Sequence, residues 1–158
     1  MTTHACTIRP ARPDDDITVA THFAAMWADN NVGPQQMRCD WMPRTLAFIA
    51  DARKGRGFGA FVAEADGKTV GSAATQFFSG LYPDVLTTDY RLYGYIWGVY
   101  VEAGWRRRKL GEGLTRACVD HLRLKGCSRV ILHATPFGRP VYERLGFAAS
   151  NEMRLDLI

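Results

Sequence analysis

The stretch Trp105-Arg106-Arg107-Arg108-Lys109-Leu110-Gly111-Glu112-Gly113 decides how this chain is read. Upstream of it, Tyr93-Gly94-Tyr95-Ile96-Trp97-Gly98-Val99-Tyr100-Val101 is rich in aromatic and branched side chains, the composition of a central strand. Downstream, Leu110, Leu114, Ala117, Cys118, His121 and Leu122 recur at helical spacing, and Lys125-Gly126 supplies a cation and a cap at the stop. Four consecutive cations therefore lead from a strand into a helix N-terminus. There the unpaired N–H groups of the first turn and the positive end of the dipole attract an anion. Main chain can hold a phosphate or pyrophosphate while arginines neutralise the remainder. The competing reading is a solvated basic loop, which most basic runs are.

Outward from this segment the pattern alternates between strand and helix. Ile8 to Arg12 predicts a first strand, and Pro13 followed by Asp14, Asp15 and Asp16 starts a helix with its acids on the positive end of the dipole. Ile17, Ala20, Ala24 and Trp27 recur before Asn30 to Pro34 breaks the pattern. A second helix spans Pro43 to Lys54, with Leu46, Ile49 and Ala50 inward and Gly55 as its stop. Phe58 to Ala65 and Thr69 to Phe78, joined by Asp66-Gly67-Lys68, form a hairpin. Ser79 to Arg91 reads as a long loop. Beyond the basic segment come a strand at Arg129 to Ala134, a short helix at Gly138 to Leu145 closed by Gly146, and a last strand at Glu152 to Ile158 alternating Met153, Leu155 and Leu157.

This is a mixed α+β order in one domain, residues 1–158. With 47% hydrophobic and 23% charged residues, a chain of this length buries roughly 68 to 70% of its unfolded surface, enough for one core without staples. Twenty Lys and Arg against sixteen Asp and Glu leave a net charge of +4. That suits an anionic ligand. A nucleic-acid binder would show a broader basic face with interleaved aromatics. Cys6, Cys39, Cys118 and Cys127 form no Cys-x-x-Cys pair and have no spaced histidines, so no metal site is expected. No run approaches the roughly 20 apolar residues of a membrane span, and Met1 to Pro10 lacks the apolar run of a signal peptide. The chain reads as cytoplasmic, with no membrane partner. No Gly-x-x-x-x-Gly-Lys-Ser/Thr occurs, which argues against a nucleotide triphosphatase.

A second motif, Pro140-Val141-Tyr142-Glu143-Arg144-Leu145-Gly146-Phe147, joins the basic segment in the order that identifies a family. Together they resemble the GNAT superfamily of acyl-CoA-dependent N-acyltransferases. Its pyrophosphate loop reads Gln or Arg, two residues, Gly, one residue, then Gly or Ala, and its late signature is an apolar residue, Tyr, three residues, then Gly-Phe. Two registers fit the loop. Arg108-x-x-Gly111-x-Gly113 matches the letters but puts Glu112 and Arg116 at buried aliphatic positions, whereas Arg106 to Gly111 keeps Leu110 and Leu114 on the apolar face and is preferred. In that register Lys109 stands where the family has glycine, and Ala103 replaces a common proline. A side chain at 109 either obstructs close approach of a ligand or adds a charge contact to phosphate.

The resemblance implies a GNAT-like, mostly antiparallel mixed sheet flanked by helices, with two central parallel strands splayed apart. It implies acetyl-CoA as acyl donor, its pantetheine filling the splay against the main chain of Val99 and Val101. Arg106, Arg107, Arg108, Lys109, Leu110 and Gly111 are then the pyrophosphate-binding residues. Transfer from thioester to amine needs a neutral nucleophile, a stabilised oxyanion and a proton for the thiolate; Tyr142 matches the family's general acid. The implied acceptor is a small-molecule primary amine attacking directly in a ternary complex, and a homodimer is the common assembly. A protein or peptide amine, or non-catalytic acyl-CoA sensing, are the alternatives. The base stays open among Glu64, Asp84, Asp89, Glu102, His133 and a water chain. Trp27, Trp41, Phe77, Phe78, Tyr82 and Trp97 are either an aromatic acceptor pocket or core.

Overall fold

A two-residue turn sets the register of the first half of the sheet. In the computed structural model, which describes residues 5–157, Asp66 and Gly67 have φ of 51° and 73°. Those positive values match the right-handed twist of the strands they join. They link β2 (Gly59–Ala65) to β3 (Lys68–Phe77), with Ala65 opposite Lys68. β1 (Cys6–Pro10) pairs antiparallel with β2, β4 (Tyr93–Val101) antiparallel with β3, and β5 (Arg129–Ile131) parallel with β4. The sheet order among the described residues is β1-β2-β3-β4-β5.

Helices cover both faces. α3 (Leu110–Leu124) buries Leu110, Leu114, Cys118 and Leu122 against Ala63, Ala65, Val70, Ala73 and Ile96. α1 (Asp16–Asp29) and α2 (Trp41–Gly55) cover the opposite face, where Val19 and Ile49 meet Ala60, Val62 and Ala74. α4 (Arg139–Arg144) follows β5. Strand β4 changes face midway. Ala74 pairs with Trp97 but Ser72 with Tyr100, so Gly98 and Val99 oppose Ala73 alone. Gly98 takes up this bulge with φ of 64°. Trp97 thus packs with the α1–α2 cluster, while Val99 and Val101 pack with the α3 cluster.

The expected element order is observed up to α4, with corrections. Pro13–Asp15 is a 3-10 turn, and α1 begins at Asp16. Its inward residues are Val19, Ala20 and His22, whereas Ile17 and Trp27 are 61% and 41% exposed. In α2 the buried pair is Ile49 and Ala52, and Ala50 faces solvent. Ala50 lies 100° round the helix from Ile49, outside the narrow stripe that a two-helix layer covers. β5 stops at Ile131 because its pairing with β4 ends there. The described part of the last predicted strand, Glu152 to Leu157, forms no strand, and Met153, Leu155 and Leu157 are 82 to 95% exposed. Alternation specifies a half-buried strand only where a neighbour supplies a face, and the three-residue β5 offers too short a ladder. His4 and Ile158 lie outside the described residues.

Two local features carry measurable consequences. Lys109, the residue preceding α3, has φ of 61°, a left-handed conformation that costs a non-glycine residue about 1 kcal/mol. Lys109→Gly is expected to raise the melting temperature by about 2 to 4 °C, read by calorimetry. His22 is buried between α1 and the sheet, its Nδ1 2.9 Å from Ser72 Oγ and its Nε2 3.8 Å from Glu102. Burial pushes its pKa down, and the Glu102 carboxylate opposes this only in part. The unfolded chain therefore takes up the proton first. The stability this histidine confers is present above the ordinary value of 6.5 and lost as pH falls from there through the lower folded value. Urea midpoints are expected to drop between pH ~7.5 and ~5, and His22→Gln is expected to shrink the drop.

Candidate active site

The site exists because β4 and β5 stay together for so short a distance. Their pairing runs from Tyr93 and Arg129 through Gly94 and Val130 to Tyr95 and Ile131. Beyond it, residues 96–101 and 132–135 line opposite walls of a cleft of about 1400 Å³. The N–H of Glu102 bonds Val70 on β3. Alternation along β4 therefore turns the main-chain groups of Val101 and Val99 the other way, into the cleft.

At one end lies the basic segment. Arg106, Arg107, Lys109, Leu110 and Gly111 all line the cleft, together with Val99, Val101 and Tyr142. Seven of the eight expected cofactor residues are thus brought together with the expected acid. Arg108 does not line it; its guanidinium lies 4.7 Å from the Trp105 ring centre. Arg106 donates from Nε to the Val101 carbonyl at 2.8 Å and pairs with Asp29, so it ties the loop to both β4 and α1. Arg107, like Lys109, is left-handed, with φ of 64°. Leu110 and Leu114 are buried, as the preferred register requires.

Tyr142 is aimed by the turn that ends its own helix. Gly146 has φ of 93°, its N–H bonds the Glu143 carbonyl, and the N–H of Phe147 bonds the Tyr142 carbonyl, both at 3.0 Å. This Schellman closure sets the Phe147 ring edge-on to Tyr142 at 6.0 Å. Burial, assisted by the nearby Cys118 and Tyr95, pushes the Tyr142 hydroxyl pKa up. It therefore keeps its proton through neutral pH.

Aromatic rings and two buried polar atoms occupy the α1–α2 side. The Trp97 ring meets Phe23 at 5.1 Å and Phe48 at 5.6 Å, both edge-on, and Trp27 completes this wall. Gln76 Oε1 and Trp97 Nε1 are buried with no hydrogen-bond partner in the structure, and both residues line the cleft. Of the expected aromatic lining, Trp41, Phe77, Phe78 and Tyr82 lie elsewhere. Sequence reasoning missed Gln76, whose only signal is its alternation with Ala74 on β3. Among the candidate bases, Glu64 is held by Arg9 at 2.9 Å and Glu102 faces His22. Neither they nor Asp84 and Asp89 line the cleft, whereas His133 does. Among the described residues no group of three His, Cys, Asp or Glu could hold a metal ion, and no helix is long and apolar enough to cross a membrane.

Comparison with known proteins places this architecture. The sequence model of the acetyltransferase (GNAT) family matches residues 21–147. Glucosamine 6-phosphate N-acetyltransferase of Trypanosoma brucei brucei is 36% identical over 115 residues, covering 71% of this chain and 75% of that protein. A GCN5-related N-acetyltransferase of Ralstonia eutropha JMP134 superposes with a TM-score of 0.80 at 22% identity, over 97% of this chain and 99% of its own. A predicted acetyltransferase of Clostridium acetobutylicum, solved with acetyl-CoA, gives 0.81 at 21% identity over 97% of both chains. With its cleft in the parting of two parallel strands and a family match spanning most of its length, the chain belongs to the GNAT family and is an N-acetyltransferase that uses acetyl-CoA.

Proposed function

We propose that the chain acetylates the primary amine of a small polar acceptor of the amino-sugar phosphate kind, by direct attack within one cleft. The observation that carries this reading is the continuity of that cleft: the basic loop at one end, Tyr142 between, and the unpartnered Gln76 and Trp97 atoms on the α1–α2 side. Acetyl-CoA supplies the thioester whose acyl carbon the amine attacks. The free N–H groups at the start of α3, with Leu110 and Gly111, and the charges of Arg107 and Lys109 suit its diphosphate. The cleft-facing main chain of Val99 and Val101 suits the amides of its arm, although Arg106 already takes the Val101 carbonyl. Arg106 acts by fixing the loop, and Arg108 by bracing it on Trp105.

As the N–C bond forms and the C–S bond breaks, Tyr142 gives its proton to the departing sulfur, a role supported by its hydroxyl remaining protonated at neutral pH. On the acceptor side, Gln76 Oε1 can take an N–H or O–H and Trp97 Nε1 can donate to an oxygen, which satisfies two buried atoms otherwise left alone. Arg44 in the same lining is paired through Nε with Asp40 at 2.7 Å and has the rest of its guanidinium to offer an anionic group. The similarity to the trypanosomal enzyme supports a phosphorylated amino sugar.

The test is acetyl transfer from acetyl-CoA to glucosamine 6-phosphate and a panel of small primary amines, followed by thiol release and product mass. Transfer to a member of the panel is expected. Tyr142→Phe is expected to lower kcat by about 10²-fold with the KM for acetyl-CoA little changed. Binding of CoA without turnover on any amine would instead make the chain a sensor. Gln76→Leu is expected to lower kcat/KM for the acceptor by about tenfold while sparing the KM for acetyl-CoA.

A further inference from the structure

We propose that Tyr95, His133 and Glu152 form a relay that carries the acceptor amine's proton out of the cleft, with Tyr95 meeting the amine and the other two positioned behind it. The proposal rests on the acetyl-transfer reading and deepens it. An aliphatic amine is protonated at neutral pH and cannot attack until a proton has gone. The two carboxylates that line the cleft are already paired, Asp29 with Arg106 and Glu112 with Arg116 and Arg144, and none of the candidate acids Glu64, Asp84, Asp89 and Glu102 lines it.

The geometry is specific. Tyr95 is the last β4 residue paired with β5, opposite Ile131, so it stands at the apex where the strands part. His133 lies two residues past Ile131 on the diverging wall, and Tyr95 Oη is 2.8 Å from its Nδ1. The other ring nitrogen, Nε2, is 3.1 and 3.2 Å from the two carboxylate oxygens of Glu152. A carboxylate only accepts, so Nε2 carries the hydrogen and donates it to Glu152. Nδ1 is then a bare lone pair that accepts from the Tyr95 hydroxyl. With its hydrogen committed to His133, Tyr95 Oη presents lone pairs to a donor in the cleft.

Exposure along the chain runs in the direction a proton must travel. Tyr95 is half-buried and lines the cleft, whereas the side chains of His133 and Glu152 are 62% and 68% exposed. When the ammonium nitrogen passes a proton to Tyr95 Oη, the original hydroxyl proton moves to His133 Nδ1. The resulting imidazolium, beside the Glu152 carboxylate, releases its proton to solvent. The substrate loses one positive charge and His133 gains one, so no oxidant, reductant or further reactant is needed. Three titratable groups bear on the imidazole: Tyr95 from β4, Glu152 from the C-terminal segment, and Tyr142 from α4 through its proximity to Tyr95. Tyr142 then serves the leaving sulfur and Tyr95 the entering nitrogen. The same contacts also assign a use to the C-terminal segment, which forms no strand yet holds Glu152 against the cleft wall.

The test is the pH dependence of kcat/KM for glucosamine 6-phosphate, or for the best amine of the panel, with the full-length chain. Tyr95→Phe and His133→Gln are expected to lower kcat by about 10²-fold at neutral pH and to regain part of it as rising pH frees the amine. Glu152→Gln removes the charge that favours the imidazolium, so its acid limb is expected to move to lower pH while the KM for acetyl-CoA stays within about twofold. A merely structural tether would lower activity without moving the limb. An unmoved limb in Glu152→Gln and near-normal kcat in Tyr95→Phe, with Tyr142→Phe still impaired, overturns the relay and leaves acetyl transfer standing. Absence of transfer to any amine by the unaltered protein overturns both. Independently of turnover, nitrogen NMR of the free protein is expected to show neutral His133 protonated at Nε2, and protonation at Nδ1 overturns the relay.

Discussion

Three residue pairs hold β5 to β4, and everything that gives this molecule a site follows from their stopping at Ile131. A parallel ladder that ran on would satisfy the main chain of Val99 and Val101 and leave no cleft. Ending it leaves hydrogen-bonding groups that a sheet must satisfy with something, and a ligand shaped like a strand answers that need. The bulge at Gly98 acts with the parting. It turns Val99 and Val101 toward the α3 core while leaving Trp97 among the aromatics of α1 and α2. The loop side and the α1–α2 side of the cleft thus meet on one strand, with their side chains directed to different faces.

Charge is distributed in keeping with this division. The basic loop concentrates cations where α3 begins, and part of that charge is spent internally: Arg106 on Asp29 and the Val101 carbonyl, Arg108 on the Trp105 ring. Arg107 and Lys109 line the cleft and sit in left-handed backbone. The strain at Lys109 explains why glycine is the easier residue at this point of such a loop, and why a lysine there keeps the backbone path while adding a charge. Beside these cations the cleft also presents the phenols of Tyr95 and Tyr142 and the amide of Gln76.

Much of this was legible in the sequence because it is local. The Asp66-Gly67 turn, the α3 stripe of Leu110, Leu114, Cys118 and Leu122, and the glycine that closes α4 are each written in a few adjacent residues. Tyr142 and most of the basic loop were legible for the same reason, through motifs of fixed spacing. What sequence missed depends on partners far along the chain. Ile17, Trp27 and Ala50 fit helical stripes, but the sheet beneath covers a narrower arc than the pattern allows. Met153, Leu155 and Leu157 alternate as a strand does, yet no long neighbouring edge exists to receive them. Gln76 and Tyr95 read as ordinary strand residues, and only the tertiary structure shows them facing one cleft.

In the proposed reaction the parted strands hold the acyl carrier with its sulfur at Tyr142. A crystal structure of the chain with CoA tests it most directly. The diphosphate is expected on the loop from Arg106 to Gly111, the arm between β4 and the segment after β5, and the sulfur within about 3.5 to 4 Å of Tyr142 Oη. A diphosphate bound elsewhere, or an arm that leaves the sulfur far from Tyr142 with the parted strands empty, would contradict it.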